Sequence, residues 1–228
     1  MLNGPVFSPM QTPARKQQVF SFATLAPIAK AFYARDAVTA SRELLGKILV
    51  RKEHGRIRAG RIVEVEAYLG INDPAAHAAA GKTARNFVLF GPPGHAYVYF
   101  IYGNHYCLNV SCEPEGKAGS VLFRALEPVA GLAEMAGARG LESDLKRVSQ
   151  VRLLTSGPGR LAEAFGITRE RDNDKDLTSI ASDLRIVDDG FRPEKIVRTP
   201  RIGITKAAHE ELRFVIAGNA FVSKRAVD

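Results

Sequence analysis

The chain is poor in the residues and patterns that announce several large protein classes. It holds two cysteines among 228 residues, Cys107 and Cys112. On one strand, their spacing and direction suit a disulfide poorly, so we expect reduced thiols and an intracellular setting. No apolar run reaches the eighteen or so residues that a membrane helix needs, so no membrane partner is expected. The N-terminus lacks the apolar core of a secretion signal. His77, His95, His105 and Cys107 show no HxxxH or CxxC spacing, which argues against a metal site. Phosphate-loop and dinucleotide fingerprints are absent, and no cofactor is expected. No internal repeat or low-complexity segment is present.

What the chain does have is apolar content and positive charge. Hydrophobic residues make up 46%, enough for a globular core. The formal net charge of +8 points toward polyanions, chiefly nucleic acid, although a solvated basic surface gives the same number. Residues 1–20, with three prolines and the pair Arg15-Lys16, read as a flexible basic tail, and 21–228 as one domain. A helix is expected over 36–46, capped by Asp36 and ended by Gly46. Strands follow in KILV, IRAGRIVEVEAYLG, the stretch 97–111, SVLFRAL, LRIVDDG, KIVRTPRIGI and RFVIAG. Helices are expected over 130–140, near 142–150 and over 156–166, and a polar loop over 171–176. Residues 71–95 form a loop long enough to suggest a task. The strands do not alternate regularly with helices. The expected class is α+β, a mixed domain around a largely antiparallel sheet.

Two segments carry candidate chemistry. In RIVEVEAYL, strict alternation sends Val63, Val65, Ala67 and Leu69 to the core and Ile62, Glu64, Glu66 and Tyr68 to the other face. Carboxylates two apart on a strand lie roughly 7 Å apart. Each raises the other's pKa, and paired carboxylates are the equipment of glycoside hydrolysis. An ordinary charged strand face is the commoner origin of such a pattern. The second segment, YVYFIYGNHYCLNVS, reads as a hairpin turning at Gly103-Asn104. Tyr102 stands at its tip, where a core cannot use it. Cys107, with apolar neighbours, reads as a buried structural thiol. The start of SGPGRL offers Ser156, Gly157 and Arg160 as a phosphate contact, with Ser156 as a cap.

The order GRIVEVEAYLG, DPAAH, YVYFIYGNHYCLNVS, VLFRALEP and SGPGRL resembles the alkyladenine (3-methyladenine, or methylpurine) DNA glycosylase family, from about Ala31 to Phe221. The resemblance implies a monomeric base-excision-repair enzyme. Such an enzyme flips alkylated or deaminated purines (3-methyladenine, hypoxanthine, ethenoadenine) from duplex DNA and hydrolyses the N-glycosidic bond. It implies Glu66 as the catalytic base and Arg124 as an active-site arginine. Tyr68, His77, Tyr99 and Asn109 become the base pocket, and Tyr102 the side chain inserted into the DNA stack. No lysine matches a catalytic position, so lyase chemistry is not expected. The implied fold is that of the C-terminal domain of formyltransferases, around a curved sheet with a protruding hairpin. Asn104 and His105 depart from the vertebrate pattern at the tip, and HAAAGKTARN departs in length.

One expectation conflicts internally. A two-residue turn at Gly103-Asn104 pairs Tyr102 with His105 and Val98 with Asn109. Asn109 then shares a face with Tyr102 and not with Tyr99, although both Tyr99 and Asn109 are expected in the pocket. A bulge or a wider turn would reconcile them. Two rival readings stand beside the glycosylase: a carbohydrate or nucleoside hydrolase using Glu64 and Glu66, and a non-enzymatic module for damaged DNA.

Overall fold

The computed structural model describes residues 22, 24–101 and 103–223. The expected tail over 1–20 and the side chain of Tyr102 lie outside the described residues.

Two helices, α1 (Lys30–Tyr33) and α2 (Ala37–Leu44), precede the sheet. Asp36 caps α2 as expected, its Oδ1 accepting from the Thr39 N–H at 2.8 Å. Ala37, Ala40, Ser41 and Leu44 recur at helical spacing and form the buried side of α2. Gly46 follows at φ 90°.

Strands β1 (Ile48–Glu53) and β2 (Arg56–Tyr68) form a hairpin whose turn holds His54 at φ 47° and Gly55 at φ 75°. Two left-handed residues are what a type I′ turn requires. β2 is long, and the sheet is organised around it. One edge pairs with β5 (Gly119–Ala130) over Ala59 to Tyr68. The other pairs with β1 up to Arg61, then with β8 (Arg213–Ile216) at Glu64 to Glu66. β3 (Ala96–Ile101) and β4 (His105–Cys112) extend the far side, and β6 (Leu184–Val187) borders β1. β7 (Ile196–Thr199) pairs with β8. The eight strands give the order β3-β4-β5-β2-β1-β6, with β8 and β7 as a branch. The strand pairs are antiparallel, in line with the expected class.

The remaining helices are α3 (Leu132–Ala138), α4 (Val148–Thr155), α5 (Pro158–Ala164) and α6 (Arg169–Asp172). Leu154, Leu161, Ala162 and Phe165 join the main core with Val63, Val65, Ala67 and Phe123. Three details differ from expectation. The helix placed near 142–150 starts only at Val148, and the polar loop over 171–176 begins as the last turn of α6. The strand read through KIVRTPRIGI stops at Thr199, before Pro200, which cannot donate to a ladder. Strict alternation also fails along β2. The pairing with β5 shifts between Ile62 and Glu64. Ile62 joins the core cluster, and Leu69 is 40% exposed.

Gly131 opens α3 at φ 76°, and a Cβ there would collide with the carbonyl of Ile57. Gly140 has φ 61° and open space around it. Gly140→Ala should therefore lose only the left-handed backbone cost, about 1–2 kcal/mol. Gly131→Ala should lose clearly more in urea unfolding; equal losses would remove the clash from the explanation.

Candidate active site

Glu64 and Glu66 lie on one side of β2, and both are fully buried. A buried carboxylate without partners is costly, and the neighbouring strands supply guanidinium groups. Arg124 comes from β5. Between Glu64 and Val65 the β2–β5 register skips one residue of β5, so Arg124 sits at a bulge between the paired residues Ala125 and Phe123. Bulges re-aim side chains, often beside active sites. The Nε of Arg124 donates to Glu64 Oε1 at 3.0 Å, and its Nη1 lies 3.1 Å from Glu66 Oε1. The bulged carbonyl of Arg124 accepts from the Gly157 N–H at 3.0 Å.

The two carboxylates differ in their partners. Glu64 also accepts from Arg213 Nε at 2.8 Å, from the Ser223 N–H at 2.6 Å and from the Ser223 hydroxyl at 2.9 Å. Its lone pairs are committed to these framework contacts. Glu66 accepts from the Ile202 N–H at 2.8 Å and from the Tyr68 hydroxyl at 3.1 Å. Burial pushes the Glu66 carboxyl above the usual glutamate range, opposed by Arg124, the Ile202 N–H and the Tyr68 hydroxyl. Glu64 adds the smallest of these effects, so dehydration rather than carboxylate pairing dominates. The same burial, with Glu66 close by, keeps the Tyr68 hydroxyl protonated.

Above this layer lies a pocket of about 480 Å³. Tyr68, His77, Tyr97, Tyr99, Asn109 and Arg124 line it, so five of the expected site residues meet here; Glu66 is not on the lining but lies beneath it, in contact with Tyr68 and Arg124. His77 begins a short 3-10 turn, His77–Ala80, in the long loop, which is where the task suspected of that loop lies. Its ring meets Tyr99 edge-on at 4.5 Å between centroids. Although His77 is exposed by total surface, partial burial of the ring and nearby Arg85 lower its pKa, favouring the neutral form. Its Nδ1 lies 2.9 Å from the Tyr97 hydroxyl. Burial raises the pKa of the Tyr97 hydroxyl, opposed by nearby Arg85 and Arg169.

The hairpin resolves the register conflict. β3 pairs with β4 as Ile101↔His105, Tyr99↔Cys107 and Tyr97↔Asn109. Three residues, 102–104, join the strands instead of two, and every pairing slips by one from the expected register. Gly103 takes φ 74°. The slip turns Asn109 toward the same wall as Tyr97 and Tyr99, where its Nδ2 donates to the Tyr97 carbonyl at 3.2 Å. It also brings Cys107, paired with Tyr99, to the pocket. Both cysteines are free and buried. The sequence reading missed Cys107 as a pocket residue because it lacked this register. It also missed Tyr97, Ile202 and the buried pair Asp73–Arg201.

At the pocket mouth stand Ile101, His105 and Gly157 to Arg160. The helix here starts later than expected. Gly157, at φ 134°, is the cap of α5, and Pro158 is its first residue. Ser156 turns inward, donating to the Phe221 carbonyl at 2.6 Å. Gly159 lets α5 abut His105: a Cβ would lie 2.9 Å from the imidazole Cγ. Arg160 is exposed at the rim.

Known proteins are similar to this chain over most of its length. A family model described as methylpurine-DNA glycosylase (MPG) matches residues 31–220. A protein of Koribacter versatilis is 64% identical over 203 residues, 89% of this chain and 96% of its own length. One from Methanoculleus marisnigri is 49% identical over 201 residues, 86% and 97% of the two chains. One from Burkholderia cenocepacia is 45% identical over 197 residues, 86% and 90%. All three are provisionally named 3-methyladenine DNA glycosylases. A match over most of the chain, with near-complete coverage of its relatives, means that the chain belongs to the methylpurine-DNA glycosylase family.

Proposed function

We propose that the protein is a monofunctional glycosylase that flips alkylated or deaminated purines (3-methyladenine, hypoxanthine, ethenoadenine) out of duplex DNA and hydrolyses the N-glycosidic bond. The observation that carries this reading is a dehydrated carboxylate, Glu66, beneath a pocket walled by Tyr68, His77 and Tyr99. The aromatic faces suit a flat base. A cationic alkylated purine gains about 0.5–2 kcal/mol from such a face. That offsets part of the few kcal/mol that flipping costs. His77 offers an imidazole nitrogen to the base edge, and Asn109 narrows the wall where the amino group of guanine would fall.

In the proposed reaction, Glu66 takes a proton from a water whose oxygen bonds to C1′ of the sugar. The bond from C1′ to the purine nitrogen breaks, and its electron pair leaves with the base. A cationic base departs neutral, whereas hypoxanthine must gain a proton. Arg124 and the Ile202 N–H hold the carboxylate in place. No lysine lines the described pocket, in keeping with hydrolysis without an imine. Arg160 at the rim, with the Gly157 segment, is placed to meet the DNA backbone, and the basic balance of the chain favours that partner. Tyr102, on the protruding hairpin, would fill the gap in the stack. The protein would act as a monomer, without a cofactor, and in the cell compartment that holds DNA.

The test is release of free base from lesion-bearing duplexes under single-turnover conditions. Glu66→Gln should lower the rate about 10²- to 10⁴-fold while keeping DNA affinity, with a smaller loss of stability than Glu64→Gln because Arg124 keeps Glu64 as a partner. Parent-like activity in this variant would exclude Glu66 as the base. Glu64→Gln should behave differently. It strips charge from a carboxylate serving two buried guanidiniums, so a stability loss of about 3–5 kcal/mol is expected. An unchanged denaturation midpoint would contradict that role.

The rate should also depend on pH in a defined direction. Glu66 must be ionised to act, and its pKa is raised. The rate should climb with pH through a midpoint above the ordinary glutamate value of about 4.3. A limb at or below that value would contradict the assignment. For Tyr102→Ala, the lesion-bound complex should weaken with little change in the thermal midpoint. A large loss of stability would make Tyr102 a core residue.

A further inference from the structure

The pair Asp73–Arg201 touches the candidate site from outside the pocket. Both side chains are buried. Arg201 Nη2 donates to Asp73 Oδ1 at 2.9 Å, and Nη1 bonds Asp73 Oδ2 and the Ala67 carbonyl. The guanidinium carbon lies 4.7 Å from the centre of the Tyr68 ring. Tyr68 lines the pocket and Arg201 does not, so the guanidinium backs the ring from behind. Asp73 in turn accepts from the N–H groups of Leu69, at 3.2 Å, and Ala75, at 3.0 Å. Those bonds shape the turn that delivers His77. Arg201 also directly precedes Ile202, whose N–H reaches Glu66.

Stability alone explains this pair poorly. Well-packed apolar residues often replace a buried ion pair without loss. Arg201 Nε is buried and has no hydrogen-bond partner among the described residues. A buried donor without a protein partner calls for an explanation beyond packing.

We infer that Arg201 is a positioning residue of the glycosidic cleavage: held by Asp73, it fixes the Tyr68 ring, the turn leading to His77 and the Ile202 N–H in one arrangement around Glu66. This rests on the reading of Glu66 as the base. Glu66 faces Arg124 from β5, Glu64 and Tyr68 from its own strand, Tyr99 and Cys107 from the hairpin, and Arg201 from the segment after β7. Loosening the Ile202 N–H removes a donor that favours the ionised carboxylate, so the acidic limb of the rate must move to higher pH.

The test uses the full chain and a hypoxanthine-containing duplex, comparing the parent with Arg201→Met, Arg201→Lys, Asp73→Asn and Glu66→Gln. Single-turnover rate constants are measured across pH, and duplex affinity separately. Arg201→Met should lose roughly ten- to a hundred-fold in rate, the scale of a small misplacement. Duplex affinity should change less, and the acidic limb should shift upward. Arg201→Lys should recover part of both. If Arg201→Met does not fold, Arg201→Lys and Asp73→Asn, which keep polar head groups, decide by the same limb. Parent-like rates and limb in the folded variants would overturn the inference. So would a loss that vanishes on scaling to the folded fraction. An inactive parent, or a fully active Glu66→Gln, would instead overturn the underlying reading of Glu66.

Discussion

Two carboxylates buried side by side on the central strand are the constraint to which the rest of the molecule answers. In a low-dielectric interior neither is tolerable alone. The sheet meets this by topology. β2 is long enough that β1 covers only part of one edge, and β8 takes over beside Glu64 and Glu66. β8 brings Arg213, and β5 brings Arg124 from the opposite edge. The end of the described chain then folds back so that Ser223 closes the remaining acceptors of Glu64. Residues far apart in sequence thus meet in one charged layer, and the pocket is built on top of it.

That layer divides the two acids by their donors. Glu64 collects two guanidiniums, an amide and a hydroxyl, which tie it into the framework. Glu66 shares one guanidinium and receives one amide and one phenol. It keeps more of the cost of dehydration, and its carboxyl is correspondingly more basic than an ordinary glutamate. The role of base proposed for Glu66 needs this intermediate condition. With too many donors it would not take a proton, and with too few it would already hold one. The arginine bulge on β5 sets the balance, because one side chain must serve both acids.

Much of this was legible in the sequence. The alternation in RIVEVEAYL located the acid strand, and Asp36 marked the start of its helix. The five segments in order located the pocket. Three things were not legible, each for a physical reason. The hairpin register depends on whether two or three residues make the connection, and Gly103-Asn104 suits either. The bulge at Arg124 is a property of strand pairing and leaves no composition signal. The Asp73–Arg201 pair joins residues 128 apart in a loop and a post-strand segment, where no periodicity applies.

The hairpin shows how rigidity and reach are combined in the proposed function. β3 is an edge strand, and unpaired edges are a liability. Its root is secured: the Ala96 N–H donates to the Lys175 carbonyl, and the Val98 N–H to Asn173 Oδ1. Tyr97 and Tyr99, which line the pocket, stand on or next to this anchored part. Toward the tip exposure rises, with Phe100 47% exposed on the side where it meets Tyr106. Gly159 then lets α5 press against His105, so the outer part of β4 is braced from the pocket side. A hairpin braced at its root and along one face can present its tip to a duplex without moving the pocket wall. A wall fixed before DNA arrives reads a flipped base by fit, with no ordering cost at the moment of recognition.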